Sequence, residues 1–188
     1  MKTFTRVLVV TFLFILTARP SYIIQAPLGP IFTQTQTVTV GNSVAETTIV
    51  GLGAGSVTLP ANFFTVGKTV TLRMWGFHST VANANITVNL KLGGTTVATT
   101  GAAASGNATN ATFEFQAMIT CRTTGIGGTV STQGYYDEYH VNGAKVGLTN
   151  TGTNTINTTI PLTLDVTAAW GTMSPSDTIS ATNFTVSQ

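Results

Sequence analysis

Asp137, Glu138, Tyr139 and His140 form the densest run of chemically competent side chains in the sequence, with Tyr135 and Tyr136 just before them. A carboxylate beside an imidazole can move a proton or hold a metal ion, provided both reach one point in space. In an extended strand Asp137 and Tyr139 face one way, and Glu138 and His140 the other. A metal or acid–base site built here needs partners from elsewhere in the fold, and the only other histidine is His78. With two histidines and six carboxylates in 188 residues, such a meeting stays open. The plainer reading is a solvated or interfacial strand rich in tyrosine. Aromatic side chains with a polar tip recur at protein and glycan contact surfaces. Tyr135, Tyr136, Asp137, Tyr139 and His140 are therefore the expected contact patch.

Other motifs fall short of chemistry. Gly67-Lys68-Thr69 resembles the end of a phosphate-binding loop, but the glycine required five residues before Gly67 is Asn62, and a strand rather than a helix is predicted to follow. Gly51 and Gly53 begin a dinucleotide-type pattern that Ser56 breaks, so they read as turn glycines. No Gly-x-Ser-x-Gly is present. The single cysteine, Cys121, excludes an internal disulfide and falls on an apolar strand face, as a small core residue does. Glycan cleavage would need two of Glu46, Glu114, Asp137, Glu138, Asp165 and Asp177 about 5–10 Å apart in a groove. Sequons at Asn85, Asn107, Asn110, Asn157 and Asn183 arise readily in a chain this rich in Asn and Thr. The sequence thus assigns no catalytic, cofactor-binding or metal-binding residue, and no cofactor.

The elements that must position these residues are strands. From Thr33 onward, apolar and polar residues alternate with period two, the mark of strands with one buried face. Thr37 to Val40 opens the series. Val70, Leu72 and Met74 follow, in a segment running on through Trp75 and Phe77; then come Ile86, Val88, Leu90 and Leu92. Phe113, Phe115, Ala117, Ile119 and Cys121 form the fourth ladder, and Leu162, Leu164, Val166, Ala168 and Trp170 the fifth. These residues are the expected core. Weaker strands are predicted at Glu46 to Val50, Gly128 to Val141, Ile156 to Ile160 and Thr178 to Val186. In the last, the apolar set changes phase between Ile179, Ala181 and Phe184, Val186, which predicts a β-bulge. Glycine-rich stretches at 51–55, 93–94, 101–110 and 125–128 read as reversals, and Asn142-Gly143 as a type I′ hairpin turn. Eight or nine such strands predict an all-β fold, a two-sheet antiparallel β-sandwich with a jelly-roll-like topology.

Composition points the same way. Charged residues are 7% of the chain, against about 25% in an ordinary soluble domain, and threonine takes their place at about one residue in five. Three Glu and four Lys are too few to solvate helix faces. No Lys/Arg cluster could follow a phosphate backbone, so nucleic acid is excluded as a partner. So neutral a surface suits packing against copies of itself, since few charges must be desolvated.

The N-terminus is set apart. Lys2 and Arg6 precede an apolar run from Val7 to Leu16, shorter than the about 20 residues that cross a bilayer and laid out like a signal peptide. Arg19-Pro20 spoils the cleavage site after Ala18, so a cleaved leader and a retained anchor both stay open. Residues 19–32 hold three of the six prolines and read as an extended linker. The expected organisation is an apolar extension with linker at 1–32 and one β-sandwich domain at 33–188.

The segments LPANFFTVGKT (59–69), KLGGTTVATTG (91–101), ITCRTTGIGGTVSTQG (119–134) and TTIPLTLDVTAAWGTMSPSDTISATNFTV (158–186) carry a resemblance. Together they resemble phage and metagenomic minor structural proteins of the tail-fibre-like, virion-associated kind, over most of residues 33–188. The resemblance implies a β-sandwich virion module, a homotrimer or higher assembly like many fibre and spike heads, and it brings no functional residues with it. The expected partners are copies of itself, other virion proteins and a host-surface glycan or receptor. The alternative is a secreted or cell-surface sandwich, including a pilus-like filament subunit, in which the segment 33–40 would complete a neighbour's sheet.

Overall fold

The period-two alternation becomes strand after strand, because Thr, Val and Ile fit a pleated surface with one face buried. The structure, a computed structural model, describes residues 29–81, 84–149 and 152–188. The apolar run Val7 to Leu16 and most of the proline-rich linker lie outside the described residues. Among the described residues there is no helix, and the strands in chain order are β1 (Phe32–Gln34), β2 (Val38–Gly41), β3 (Thr47–Thr48), β4 (Gly53–Gly55), β5 (Thr58–Leu59), β6 (Thr69–Thr80), β7 (Ala84–Leu92), β8 (Thr95–Thr99), β9 (Ala103–Ser105), β10 (Ala108–Thr123), β11 (Gly128–Glu138), β12 (Lys145–Gly147), β13 (Asn154–Ile156), β14 (Leu162–Trp170) and β15 (Thr178–Ser187).

Two antiparallel sheets pack face to face as a β-sandwich. The larger runs β12-β11-β10-β6-β15-β1-β4, with β13 also on β11 and β2 also on β15. The smaller runs β3-β14-β7-β8, with β5 on β14 and β9 on β7. The chain crosses repeatedly between them: β6 is in the large sheet, β7 and β8 in the small, β10 and β11 in the large, β14 in the small and β15 in the large. Side chains of the two inner faces form one continuous core, with Leu72, Ile86, Phe115, Val166 and Phe184 all fully buried.

The outer faces explain the threonine. Thr39 meets Ser180 at 2.7 Å, Thr58 meets Thr163 at 3.0 Å, Thr69 meets Thr120 at 3.0 Å and Thr123 meets Thr129 at 2.7 Å. Hydroxyl pairs across neighbouring strands here do what ion pairs do on more charged sheets.

Several local expectations change. β6 keeps its phase without a bulge, so Gly76, His78 and Thr80 turn inward after Met74, while Trp75 and Phe77 lie on the outer face, Phe77 at 46% exposure. The two aromatics are therefore not core residues. Gly53–Gly55 is not only a reversal: it pairs with β1, and a Cβ on Gly55 would lie 2.1 Å from the Ile31 carbonyl oxygen. The strand expected at Ile156 to Ile160 ends at Ile156, and Ile160 is exposed. Asn142 is left-handed (φ 63°) but Gly143 is not, and the Gly143 N–H returns to the His140 carbonyl, so the turn is not type I′. The bulge expected in the last strand is present, between Ala181 and Asn183.

Candidate functional site

β11 carries two different sets of side chains on its two faces, and alternation alone separates them. Tyr135, Asp137 and Tyr139 belong to the outer face; Tyr136 and Glu138 turn inward, and His140 follows them in the turn beyond the strand. The expected contact patch is thus divided by the sheet.

On the outer face, Glu114 of β10 stands opposite Trp75 of β6 on one side and Asp137 of β11 on the other. Arg73 Nη2 donates to Glu114 Oε1 at 3.0 Å and the Tyr139 hydroxyl to Glu114 Oε2 at 2.8 Å. Burial works against the Glu114 charge, but these donors outweigh it and hold the carboxyl below the usual range. The same hydrogen bond to Glu114 pushes the Tyr139 phenol up to about 12. Tyr139 lies parallel to Trp75, with the Arg73 guanidinium 5.8 Å from the indole centroid. Tyr135 donates to Gln116 Oε1 at 3.0 Å. Lys145 of β12 pairs with Asp137 at 2.9 Å, which raises the lysine pKa. Tyr135, Asp137, Tyr139 and Lys145 line an open groove of about 510 Å³. Phe77 and Met118, each 46% exposed, extend this sheet's outer face.

The inner face brings His78, Glu138 and His140 together, the meeting that the sequence left open. His78 Nε2 lies 3.1 Å from His140 Nε2, and Glu138 Oε2 lies 3.3 Å from His140 Nε2 and 3.6 Å from His78 Nε2. The side chains of His78 and Glu138 are wholly buried, and that of His140 is 12% exposed. Glu138 is anchored from three more directions. The Ser105 hydroxyl of β9 and the Ala144 N–H donate to Oε2 at 2.9 and 2.8 Å, and the Tyr136 hydroxyl donates to Oε1 at 2.9 Å. Tyr136 is itself wholly buried against Phe113, and burial followed by the Glu138 charge drives its phenol well above the ordinary value. Burial likewise lowers the His78 pKa, opposed by the Glu138 charge and reinforced by His140. The position of His78 is readable by carrying the alternation of Val70, Leu72 and Met74 two steps further.

The remaining candidates have structural roles. Lys68 donates to the Phe63 carbonyl at 3.0 Å with its ammonium 3.5 Å from the Phe63 ring centroid. Asp177 is fully buried and accepts the Val81 N–H at 3.0 Å. Cys121 is buried, and burial raises its thiol pKa.

Comparison with family models, with curated proteins and with solved structures finds no match to this chain.

Proposed function

We propose that this chain is a non-catalytic virion structural subunit, a fibre, spike or decoration component, whose jelly-roll module assembles with copies of itself and displays the outer face of the large sheet. The observation that carries the reading is that face. Trp75, Tyr139, Phe77 and Met118 present aromatic and apolar surface there, while its ion pairs, Arg73–Glu114 and Lys145–Asp137, are satisfied within the chain. A partner docking on it displaces water from apolar area without stranding a charge. The groove beside Tyr139 is the place where a host-surface glycan or receptor would lie. The jelly-roll reading rests on strand order: β15 inserts between β1/β2 and β6, and β14 between β3/β5 and β7, the interleaving that two Greek keys produce.

The secreted or filament alternative asks the N-terminal strand to complete a neighbour's sheet. Phe32–Gln34 and Val38–Gly41 both pair with β15 of their own chain, which gives that exchange no support. A glycan-cleaving alternative would draw on Glu114 and Asp137, which face each other across β10 and β11. A general acid needs a raised pKa, whereas Glu114 is held low, so Glu114 is not the acid of such a pair.

The test is sedimentation of the full chain at micromolar concentration, with mass spectrometry of purified particles. A trimer or higher assembly, recovered with the particles, is the expected result. A strict monomer absent from particles overturns the proposal.

A further inference from the structure

We infer that His78, Glu138 and His140 form a binding site for one divalent transition-metal ion of the zinc class, set between the two sheets at the turn that follows β11. The three candidate ligand atoms are separated by 3.1, 3.3 and 3.6 Å. Tetrahedral zinc, with bonds of about 2.0–2.1 Å, places neighbouring ligand atoms about 3.3–3.4 Å apart. The observed triangle brackets that edge, and two imidazoles with one carboxylate are a donor set that zinc takes.

Proton placement argues for a cation. His140 Nδ1 lies 2.9 Å from the Val141 carbonyl oxygen, an acceptor only, so Nδ1 carries the proton. In the neutral ring Nε2 then presents a bare lone pair towards Glu138 Oε2, another acceptor, and towards His78 Nε2. Neutral His78 has one proton to place, and Ala111, directly opposite on β10, offers the ring a backbone carbonyl acceptor on its far side, which favours the proton on Nδ1. That tautomer frees both Nε2 lone pairs for a shared cation. A backbone carbonyl fixing the far nitrogen of a histidine is the usual outer support of a metal ligand. Ser105, Ala144 and Tyr136 hold the carboxylate in the same way.

Charge argues likewise. Glu138 has no lysine or arginine within salt-bridge distance among the described residues, and the basic groups beside its wholly buried carboxylate are the two histidines. A buried charge needs a compensating one. His140 alone of the three has solvent access, so a water completing the tetrahedron enters on its side. Because β6, β11 and the turn beyond β11 supply the ligands, while Ser105 ties in the small sheet, the ion acts as a clip across one end of the sandwich.

The experiment uses the full chain without a polyhistidine tag, stripped with chelator, then titrated with Zn²⁺ by calorimetry and with Co²⁺ by visible absorption. The expected result is one ion per chain, the intense visible bands of four-coordinate cobalt, and a melting temperature about 5–10 °C higher at a hundredfold excess over Kd. His140→Ala should weaken binding by at least about 100-fold, beyond the 10–100-fold cost of losing an outer support, while keeping the wild-type far-ultraviolet spectrum. His140→Gln, closer in size, serves if the alanine variant misfolds. The proposal is overturned by a wild-type chain that takes up no zinc, or by variants that bind it as tightly as wild type. Either result makes the triad a hydrogen-bonded core cluster.

Discussion

Trp75 and Tyr139 lie within 6° of parallel, with ring centroids 6.1 Å apart, and this pose delivers the Tyr139 hydroxyl to Glu114. Tyr139 stands just past the end of β11, where its N–H is held by the Thr112 carbonyl at 2.9 Å. The ring is therefore fixed before any partner arrives, and little side-chain entropy remains to be lost on docking. Tyr139→Ala should weaken self-association by roughly 30-fold, the ~2 kcal/mol of an aromatic hot spot. Because Tyr139 is half exposed, the monomer should lose no more than about 1 kcal/mol, a shift of about 2–4 °C in Tm. Sedimentation and thermal melts on the same samples separate the two effects. Unchanged association would remove this face from the interface.

Stability should fall in acid through Glu46. Lys91 donates to it at 2.8 Å, and with Thr167 and Asn89 it holds the carboxyl at about 2, from an ordinary value of 4.5. A depressed carboxyl contributes stability that is complete above the unfolded value and lost as pH falls from about 4.5 through about 2. The side chain is 35% exposed, so solvent screening reduces the contribution to about 1 kcal/mol. Urea melts at pH 5 and pH 2.5 check this. Wild type should lose stability between them, and Glu46→Gln should lose about 1 kcal/mol less; equal losses would assign the acid sensitivity elsewhere.

How far the sequence could be read follows from where period two is sufficient. Phe113 to Cys121 and Leu162 to Trp170 alternate without interruption, and each inward residue there is buried. The same rule placed Glu138 and His140 on the face opposite Tyr139. It misplaced Trp75 and Phe77 because size was given more weight than phase: a large aromatic suggests core, yet the strand has no bulge to turn it inward. That choice also hid His78, whose inward position follows from the same phase. What alternation cannot supply is pairing between distant strands. β6 comes to lie opposite β10, and β10 opposite β11, so the junction of His78 with Glu138 depends on register that no local pattern encodes. Glu114, on the outer face of β10, is nearly covered, because Arg73 and Tyr139 close over it from either side, a cover that alternation alone does not show.

Gly76 should resist substitution although its backbone is ordinary. It pairs with Phe113 on one side and Ala181 on the other, next to the bulge in β15. A Cβ added there would lie 1.9 Å from the Ser180 carbonyl oxygen and 2.8 Å from the Phe113 ring. Backbone cannot yield as a flexible side chain can, so β6 and β15 would have to part. Gly76→Ala should cost about 3 kcal/mol, the upper end of overpacking penalties, measured by urea denaturation. A neutral result would mean that the β6–β15 contact relaxes freely.

Cys121 should be silent until the sandwich opens. Its side chain is 1% exposed, with Sγ 3.4 Å from the Thr123 carbonyl, and burial raises the thiol pKa. The thiolate is the reactive form, so depth and chemistry both protect it. Its backbone is pinned as well: the Cys121 N–H donates to the Lys68 carbonyl and its carbonyl accepts the Gly67 N–H, each at 2.9 Å. An aromatic disulfide reagent should therefore label the native chain at least about 100-fold more slowly than the urea-unfolded chain, at a rate set by opening of the strand. Labelling as fast in buffer as in urea would mean that this end of β10 leaves the sheet readily. Gly67 and Lys68 would then have no fixed strand beneath them, and the contact of the Lys68 ammonium with the Phe63 ring would be lost together with the thiol's protection.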